Sequence, residues 1–348
     1  MIYFATLFDK NYISRALVLY ESLNKNCLDF TLYTLCLDID SYNYLIDNDS
    51  AYSKLIPLKL SEIEDKYLEL NIAKSNRSLI EYYFTLSPFL PLYLLETYKI
   101  PFICTLDADI IFYSSPHTIF SNLDKYSIII TPHNFSKKNI HLEKFGKYNV
   151  SFQVFKSNSV AISCLKSWAS QCLLWCKDEL DFKNGRFADQ KYLDTWEYDF
   201  PREVKILSES SCGVAPWNIS NLNFINSKGK CNLIGDEIIF FHFHQFKIFS
   251  NSLAQNRFMD YFVTNNKFLE ETYLDYWSKV EAYDLNLPFK KAHSIREKSS
   301  KSVLNFILNT NGFYFRYSNR LYYFNIKRHK DFIYRIIYGL FHRSSNTF

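Results

Sequence analysis

Apolar and polar positions alternate in blocks along this chain. It opens on an apolar run, Ile2-Tyr3-Phe4-Ala5-Thr6-Leu7, that reads as a buried strand. The run ends at Phe8-Asp9-Lys10-Asn11-Tyr12, after which Ala16, Leu17, Leu19, Tyr20 and Leu23 fall at helical spacing. A second strand is expected over Phe30–Leu37, running into Asp38-Ile39-Asp40. Two weakly patterned acidic helices follow, then a helical stretch from Ser78 to Tyr98, broken by Pro88 and Pro91. Pro101-Phe102-Ile103-Cys104-Thr105-Leu106 is a short continuous apolar run of the kind a central strand shows. It ends in Asp107-Ala108-Asp109, and Ile110–Tyr113 resumes at once. Further strands are expected over Ser127–Thr131, Val150–Phe155 and Glu237–Ile248, with a helix over Val160–Cys176 and a loop entering a helix over Gly185–Trp196. Strand and helix in alternation predict an α/β fold, a mostly parallel sheet with helices on both faces. The expected division is one α/β domain over residues 1–255 and a helical extension, aromatic and basic, over 256–348.

Composition permits a sizeable core, with 48% apolar and 22% charged residues, and 7 Gly and 9 Pro are too few for long flexible linkers. The eight cysteines form no Cys-x-x-Cys pair and no zinc spacing, so reduced thiols in the cytoplasm are expected. No basic segment followed by an apolar one precedes the first strand, and no stretch reaches the roughly 20 apolar residues that span a bilayer. The net charge of +4 conceals an asymmetry. From Phe289 onward there are 12 Lys/Arg against 2 Asp/Glu, and before it 28 against 34. Arg316, Arg320, Lys327, Arg328, Lys330, Arg335 and Arg343 are interleaved with Tyr, Phe and Ile, a mixture that suits an anionic inner-membrane surface. A helical pair packed on the body with a solvated basic face fits the same residues. No nucleic-acid-binding module is recognisable.

Three Asp-x-Asp pairs occur: Asp38/Asp40, Asp47/Asp49 and Asp107/Asp109. Only the third ends a buried strand, where ligands collect in open α/β sheets. Two carboxylates so placed can share Mg²⁺ or Mn²⁺, and the ion can bridge phosphate oxygens. Asp47/Asp49 reads as a polar loop, and Asp38/Asp40 as a lining of the nucleotide pocket. In Phe241-His242-Phe243-His244-Gln245-Phe246-Lys247, strand periodicity puts His242 and His244 on one face. Either imidazole is a candidate third ligand, and Lys247 a candidate phosphate cation; a hydrogen-bonded pair in an aromatic core is the competing reading. Asp189, ahead of Gln190, reads by position alone as a helix N-cap.

Together these pieces resemble the GT-A glycosyltransferases, in layout those of family 8, and a group of bacterial nucleotide-diphospho-sugar transferases, over roughly Ile2–Phe249. The resemblance implies a Rossmann-like mixed sheet and a metal-dependent transfer from a nucleotide-sugar, with UDP as the nucleotide. It implies that Ala5–Tyr12, with Thr6, Asp9, Asn11 and Tyr12, holds the nucleotide, and that Asp107 and Asp109 bind metal. Asn149 and Ser151 match an Asn-x-Gly sugar contact, with Ser in place of Gly. Asp189 and Gln190 match the pair that touches the donor sugar, Trp217 and Asn218 a later sugar-binding loop, and His242 or His244 with Lys247 the metal His and phosphate Lys. Arg77 resembles an Arg that steadies the diphosphate. The His-to-Lys interval is shorter here than in the family, and the basic tail has no counterpart there. The implied reaction retains configuration and builds cell-surface glycan, lipopolysaccharide or capsule on a glycan or lipid-linked acceptor. A nucleotidyltransferase should carry a Gly-rich phosphate loop after the first strand, and Phe8–Ser14 holds no Gly. A catalytically silent sugar-nucleotide-binding protein is the remaining alternative.

Overall fold

The computed structural model describes residues 1–121, 123–227, 230–233, 237–250, 253–289, 313–317 and 320–324. They divide into two compact units after His242.

The first unit is built on a seven-stranded sheet in the order β3-β2-β1-β4-β7-β6-β8. Its strands are β1 (Ile2–Phe8), β2 (Phe30–Cys36), β3 (Leu55–Lys59), β4 (Phe102–Leu106), β6 (Ile128–Pro132), β7 (Tyr148–Lys156) and β8 (Val204–Ile206). β5 (Ile110–Phe112) lies outside it and pairs antiparallel with β11 (Phe240–His242). Strands β9 (Phe224–Ser227) and β10 (Lys230–Leu233) form a separate hairpin. β1 is parallel to β2 and to β4, and β2 to β3; β7 runs antiparallel to both β4 and β6. The sheet is therefore mixed and mostly parallel, as the alternating pattern implies.

Buried apolar side chains explain why these segments are strands. Phe4, Ala5, Leu32, Leu35, Ile103 and Cys104 are all fully enclosed, and each large apolar side chain so buried stabilises the fold by roughly 1.5–3 kcal/mol. Helices α1 (Ile13–Asn26), α5 (Leu79–Leu86), α6 (Phe89–Tyr98) and α8 (Ser159–Leu174) cover the sheet, and between α1 and α5 lie α2 (Ile39–Asp47), α3 (Leu60–Lys66) and α4 (Leu70–Asn76). The interruption expected at Pro88 separates α5 from α6. Pro91 stands in the first turn of α6, where its missing N–H costs nothing. The strand β3 is an addition to the sequence reading. Its Pro57 argues against a central strand, but β3 is the last strand on its side of the sheet, where a missing donor is tolerated. Short helices α7 (His117–Phe120) and α9 (Trp196–Asp199) complete the unit, and the seven described cysteine side chains are free and buried.

The order of strands reverses between β1 and β4: β2 and β3 extend the sheet to one side of β1, β4 and β7 to the other. In open α/β sheets this is the crevice that takes ligands.

The second unit contains β12 (Lys247–Ser250), β13 (Leu253–Gln255), β14 (Phe313–Tyr317) and β15 (Arg320–Phe324) as one antiparallel sheet, with α10 (Lys267–Asp284). Asn266 caps α10, and Tyr273, Tyr276 and Trp277 are its buried face. The extension expected as helical thus carries strands as well, consistent with the β preference of its Phe- and Tyr-rich runs. Apart from β14 and β15, the basic tail lies outside the described residues. Among those described, no helix is long and apolar enough to cross a membrane.

Candidate metal and nucleotide-sugar site

The carboxyl ends of β1 and β4 flank the reversal point. β1 ends in a tight turn: Asp9 accepts from the backbone N–H of Asn11 at 2.9 Å and from its side-chain amide at 3.0 Å. The N–H of Tyr12 bonds the Asp9 carbonyl at 2.9 Å, and α1 begins at the next residue. Arg15, one turn on, lies with its guanidinium 4.5 Å from the centre of the Tyr12 ring. Burial raises the Tyr12 phenol pKa, with Asp109, Asp9 and Asp107 adding to it, so the ring stays neutral. Thr6, inside β1, is buried, and its hydroxyl has no hydrogen-bond partner among the described residues.

β4 ends at Leu106, and the Asp107 N–H donates to the Ser151 carbonyl on β7 at 3.0 Å. Asp109 follows, buried at 8% exposure, before β5 begins. β5 pairs with β11 so that Ile110 faces His242 across the ladder, which sets the imidazole beside both acids. His242 Nε2 lies 3.0 Å from Asp109 Oδ1 and 3.5 Å from Asp107 Oδ2. Burial works against the imidazolium, but the charge and hydrogen bond of Asp109, with Asp107 behind, outweigh it and raise the His242 pKa. Asp107 is raised too, by desolvation in the crevice and by Asp109, against the pull of His242.

These three side chains form a group able to hold a metal ion, with ligand atoms within 4.8 Å of one another. Neighbouring ligands of an octahedral ion, each at about 2.1 Å from it, stand roughly 3 Å apart. Two hard carboxylate oxygens and one imidazole nitrogen suit Mn²⁺ or Mg²⁺. The donor set fits such an ion.

Of the two histidines, only His242 joins this group among the described residues. β11 ends at His242 and Gln245 turns with φ 51°, so the strand alternation that would put His244 on the same face stops before reaching it. His244 belongs to the second unit, its ring 6.2 Å from that of Tyr261. Lys247 also belongs to the second unit, where burial lowers its pKa, with the charge of Arg257 adding to this.

Asn149 and Ser151 lie on β7 beside the Asp107 backbone. The Asn149 side-chain oxygen accepts from the Ser151 N–H at 3.1 Å and from its hydroxyl at 2.5 Å, so the serine is satisfied locally. Asn218 stitches its own loop, with Oδ1 accepting from the Ala215 N–H at 3.0 Å and Nδ2 donating to the carbonyls of Gly213 and His133 at 2.9 and 3.1 Å. Gly213 has φ +70°, and a Cβ there would stand 3.0 Å from the Thr131 methyl. The Trp217 ring packs edge-on between His242, at 5.3 Å, and His133, at 5.0 Å.

Asp189 is not a side-chain N-cap; it opens a 3-10 turn without capping it. Its carboxylate is buried and accepts from the Ser87 hydroxyl at 2.5 Å. Burial raises its pKa to about 7 against the pull of that bond, and the charge of Asp107 adds to the rise. Gln190 donates to the Phe145 carbonyl at 3.0 Å. Arg77 is engaged by protein on both terminal nitrogens, which donate to the Thr85 hydroxyl and, at 2.6 Å, to the Leu173 carbonyl. Asp38 caps α2 through the Ser41 N–H and also takes the Lys10 N–H, while Asp40 pairs with the Lys10 ammonium at 2.7 Å. The Ser87–Asp189 and His133–Trp217 contacts carry no sequence signal, because the partners are distant in the chain.

No family model matches the chain. It is similar to two Bacillus subtilis (strain 168) proteins, both uncharacterized. To YfnD it is 27% identical over 248 residues, 71% of this chain and 78% of that protein. To YfnF it is 29% identical over 262 residues, 72% and 84%. Among solved structures it is similar to apo mouse xyloside xylosyltransferase 1, with TM-score 0.45 and 13% identity over 70% of this chain and 98% of that one. It is also similar to the apo glycosyltransferase GlyE of Streptococcus pneumoniae TIGR4, with TM-score 0.48 and 12% identity over 82% of this chain and 63% of that one.

Proposed function

We propose that this chain is a metal-dependent GT-A glycosyltransferase that moves a sugar from a nucleotide-diphosphate donor, UDP favoured, to a glycan or lipid-linked acceptor in bacterial cell-surface polysaccharide synthesis. One observation carries the reading: Asp107, Asp109 and His242 converge at the carboxyl end of β4, beside the point where the strand order reverses. A divalent ion, Mn²⁺ or Mg²⁺, would be held by these three and would neutralise the charge that grows on a departing diphosphate.

The chain's own residues divide the remaining work. Asp9 and Asn11 fix the turn that presents Tyr12, whose neutral ring, backed by Arg15, suits a nucleobase face. Thr6 lies on the strand leading into that turn. Asn149, Ser151, Trp217 and Asn218 shape the wall where the sugar would lie. Asp189 and Gln190 orient the sugar, and an ionised Asp189 favours the positive charge that develops at its reacting carbon. Lys247 is retained as a phosphate cation on the resemblance alone. Arg77 is better read as a clamp between α5 and α8. Retention of configuration is the stereochemical reading, and docking of the basic tail on anionic lipid the cellular one.

Incubation with Mn²⁺ and a panel of UDP-, GDP- and dTDP-sugars tests this. Donor hydrolysis or transfer that stops on chelation is expected, and NMR of the product should show a retained anomeric centre. Metal-independent binding without turnover would point instead to a silent sugar-nucleotide-binding protein.

A further inference from the structure

We propose that Ser87 is a positioning residue for Asp189: its hydroxyl, at the end of α5, fixes one carboxylate oxygen so that the other is turned toward the donor sugar. This rests on the reading of Asp189 as a sugar contact.

A serine in or at the end of a helix can satisfy its hydroxyl on a backbone carbonyl three or four residues earlier. Ser22, Ser75, Ser121 and Ser170 all do so here, bonding Leu19, Ile72, Thr118 and Lys166. Ser87 does not. Its hydroxyl donates to Asp189 Oδ2 at 2.5 Å, the length of a charge-assisted bond to a carboxylate. The neighbouring backbone is already held, since Trp168 Nε1 donates to the Asp189 carbonyl at 2.8 Å and the Ala188 N–H donates to Lys177 at 3.0 Å. Trp168 is fully buried, so this anchor is rigid. With the main chain fixed, the side-chain torsions are the freedom that remains, and the Ser87 bond restrains them together with the backbone amides of Asp189 and Gln190.

α5 is placed to deliver the hydroxyl. Its start is closed by a reciprocal cap between Ser78 and Glu81, and its end is forced by Pro88, immediately after Ser87. The bond also matters electrostatically. Burial drives the Asp189 carboxyl toward its neutral form; the Ser87 hydroxyl is the foremost opposing influence, with the backbone amides of Asp189 and Gln190 behind it. Losing the hydroxyl therefore frees the carboxylate and makes it easier to protonate.

The test is donor hydrolysis by the full chain with Mn²⁺ and the best substrate from the UDP-, GDP- and dTDP-sugar panel. Ser87→Ala should lower kcat about ten- to a hundredfold, the worth of a hydrogen bond to a charged group, with a smaller change in KM. The acid limb of the kcat profile should move up by about one pH unit, and Ser87→Thr should restore both. Should Ser87→Ala fail to fold, Ser87→Cys, of similar size but a weak donor, is read in its place. An unchanged kcat and acid limb in these variants, alongside an inactive Asp189→Asn, would overturn the role of Ser87 and leave Asp189 as the sugar contact. A fully active Asp189→Asn would overturn the reading of Asp189 itself. No turnover of any donor by the unaltered chain would remove the glycosyltransferase reading and this proposal with it.

Discussion

His242 Nε2 stands 3.0 Å from Asp109 Oδ1, an approach set by backbone pairing. The ladder between β5 and β11 puts Ile110 opposite His242, so the acid preceding β5 meets the imidazole ending β11. Together with Asp107 they put three ligand atoms within 4.8 Å of one another, a spacing that one ion can bridge.

Asp109→Asn removes one charge from this set and keeps its shape. Turnover should fall about 100- to 1000-fold, the scale of losing one preorganised group that stabilises developing charge. The variant should also lose the Mn²⁺-dependent rise in melting temperature, which for a ligand at a hundred times its Kd corresponds to about 2.7 kcal/mol. Retention of both would remove the metal from the mechanism.

The two histidines should separate in the same assay. His242→Gln should abolish stabilisation by Mn²⁺, whereas His244→Gln should keep it, because His242 alone joins the acid pair among the described residues. Calorimetric titration with Mn²⁺ in each variant checks this. Equal losses in both would put His244 in the site as well.

How much of this was legible depends on what kind of information each residue carries. Asp107 and Asp109 stood out because a continuous apolar run ends on them, and a buried strand must show itself in that way. β3 did not, because Pro57 and Lys59 break its apolar pattern at the sheet edge. The histidine pair was half legible. Strand periodicity put both on one face, but it cannot say where a strand stops, and β11 stops at His242. Ser87 was invisible, since nothing local distinguishes a serine that bonds a carboxylate about a hundred positions away from one that bonds its own helix. Arg77 matched a motif by position, yet its terminal nitrogens engage Thr85 and Leu173.

Arg77→Ala should consequently be a stability variant. Two hydrogen bonds from a charged donor are lost and the Leu173 carbonyl is stranded, a cost of roughly 1–3 kcal/mol. Chemical denaturation should show that loss, with donor KM little changed. A tenfold rise in KM at unaltered stability would restore the diphosphate role that the resemblance suggests.

His133 sets an acid limit on the fold. Its ring is stacked 4.5 Å from Phe135 and edge-on to Trp217, and its buried Nδ1 has no hydrogen-bond partner among the described residues. Burial, with the charge of His242 adding to it, outweighs backbone hydrogen bonds to Lys147 and Gly146 and holds its pKa down to about 3. An unfolded histidine titrates near 6.5, so the unfolded chain takes up a proton that the folded one refuses. The contribution to stability is complete above pH 6.5 and is lost as the pH falls from there toward 3, amounting to roughly 2 kcal/mol at pH 5. His242, Asp107 and Asp189 have raised pKa values and act in the opposite sense, so the whole protein's acid profile mixes these with His133. The informative quantity is the difference between the unaltered chain and His133→Phe, which keeps an aromatic ring in the stack and removes the titration. Stability from denaturation at pH 7 and pH 5 should fall by about 2 kcal/mol less in the variant. Equal slopes would mean that the backbone bonds to Lys147 and Gly146 keep the imidazole protonated in the folded state.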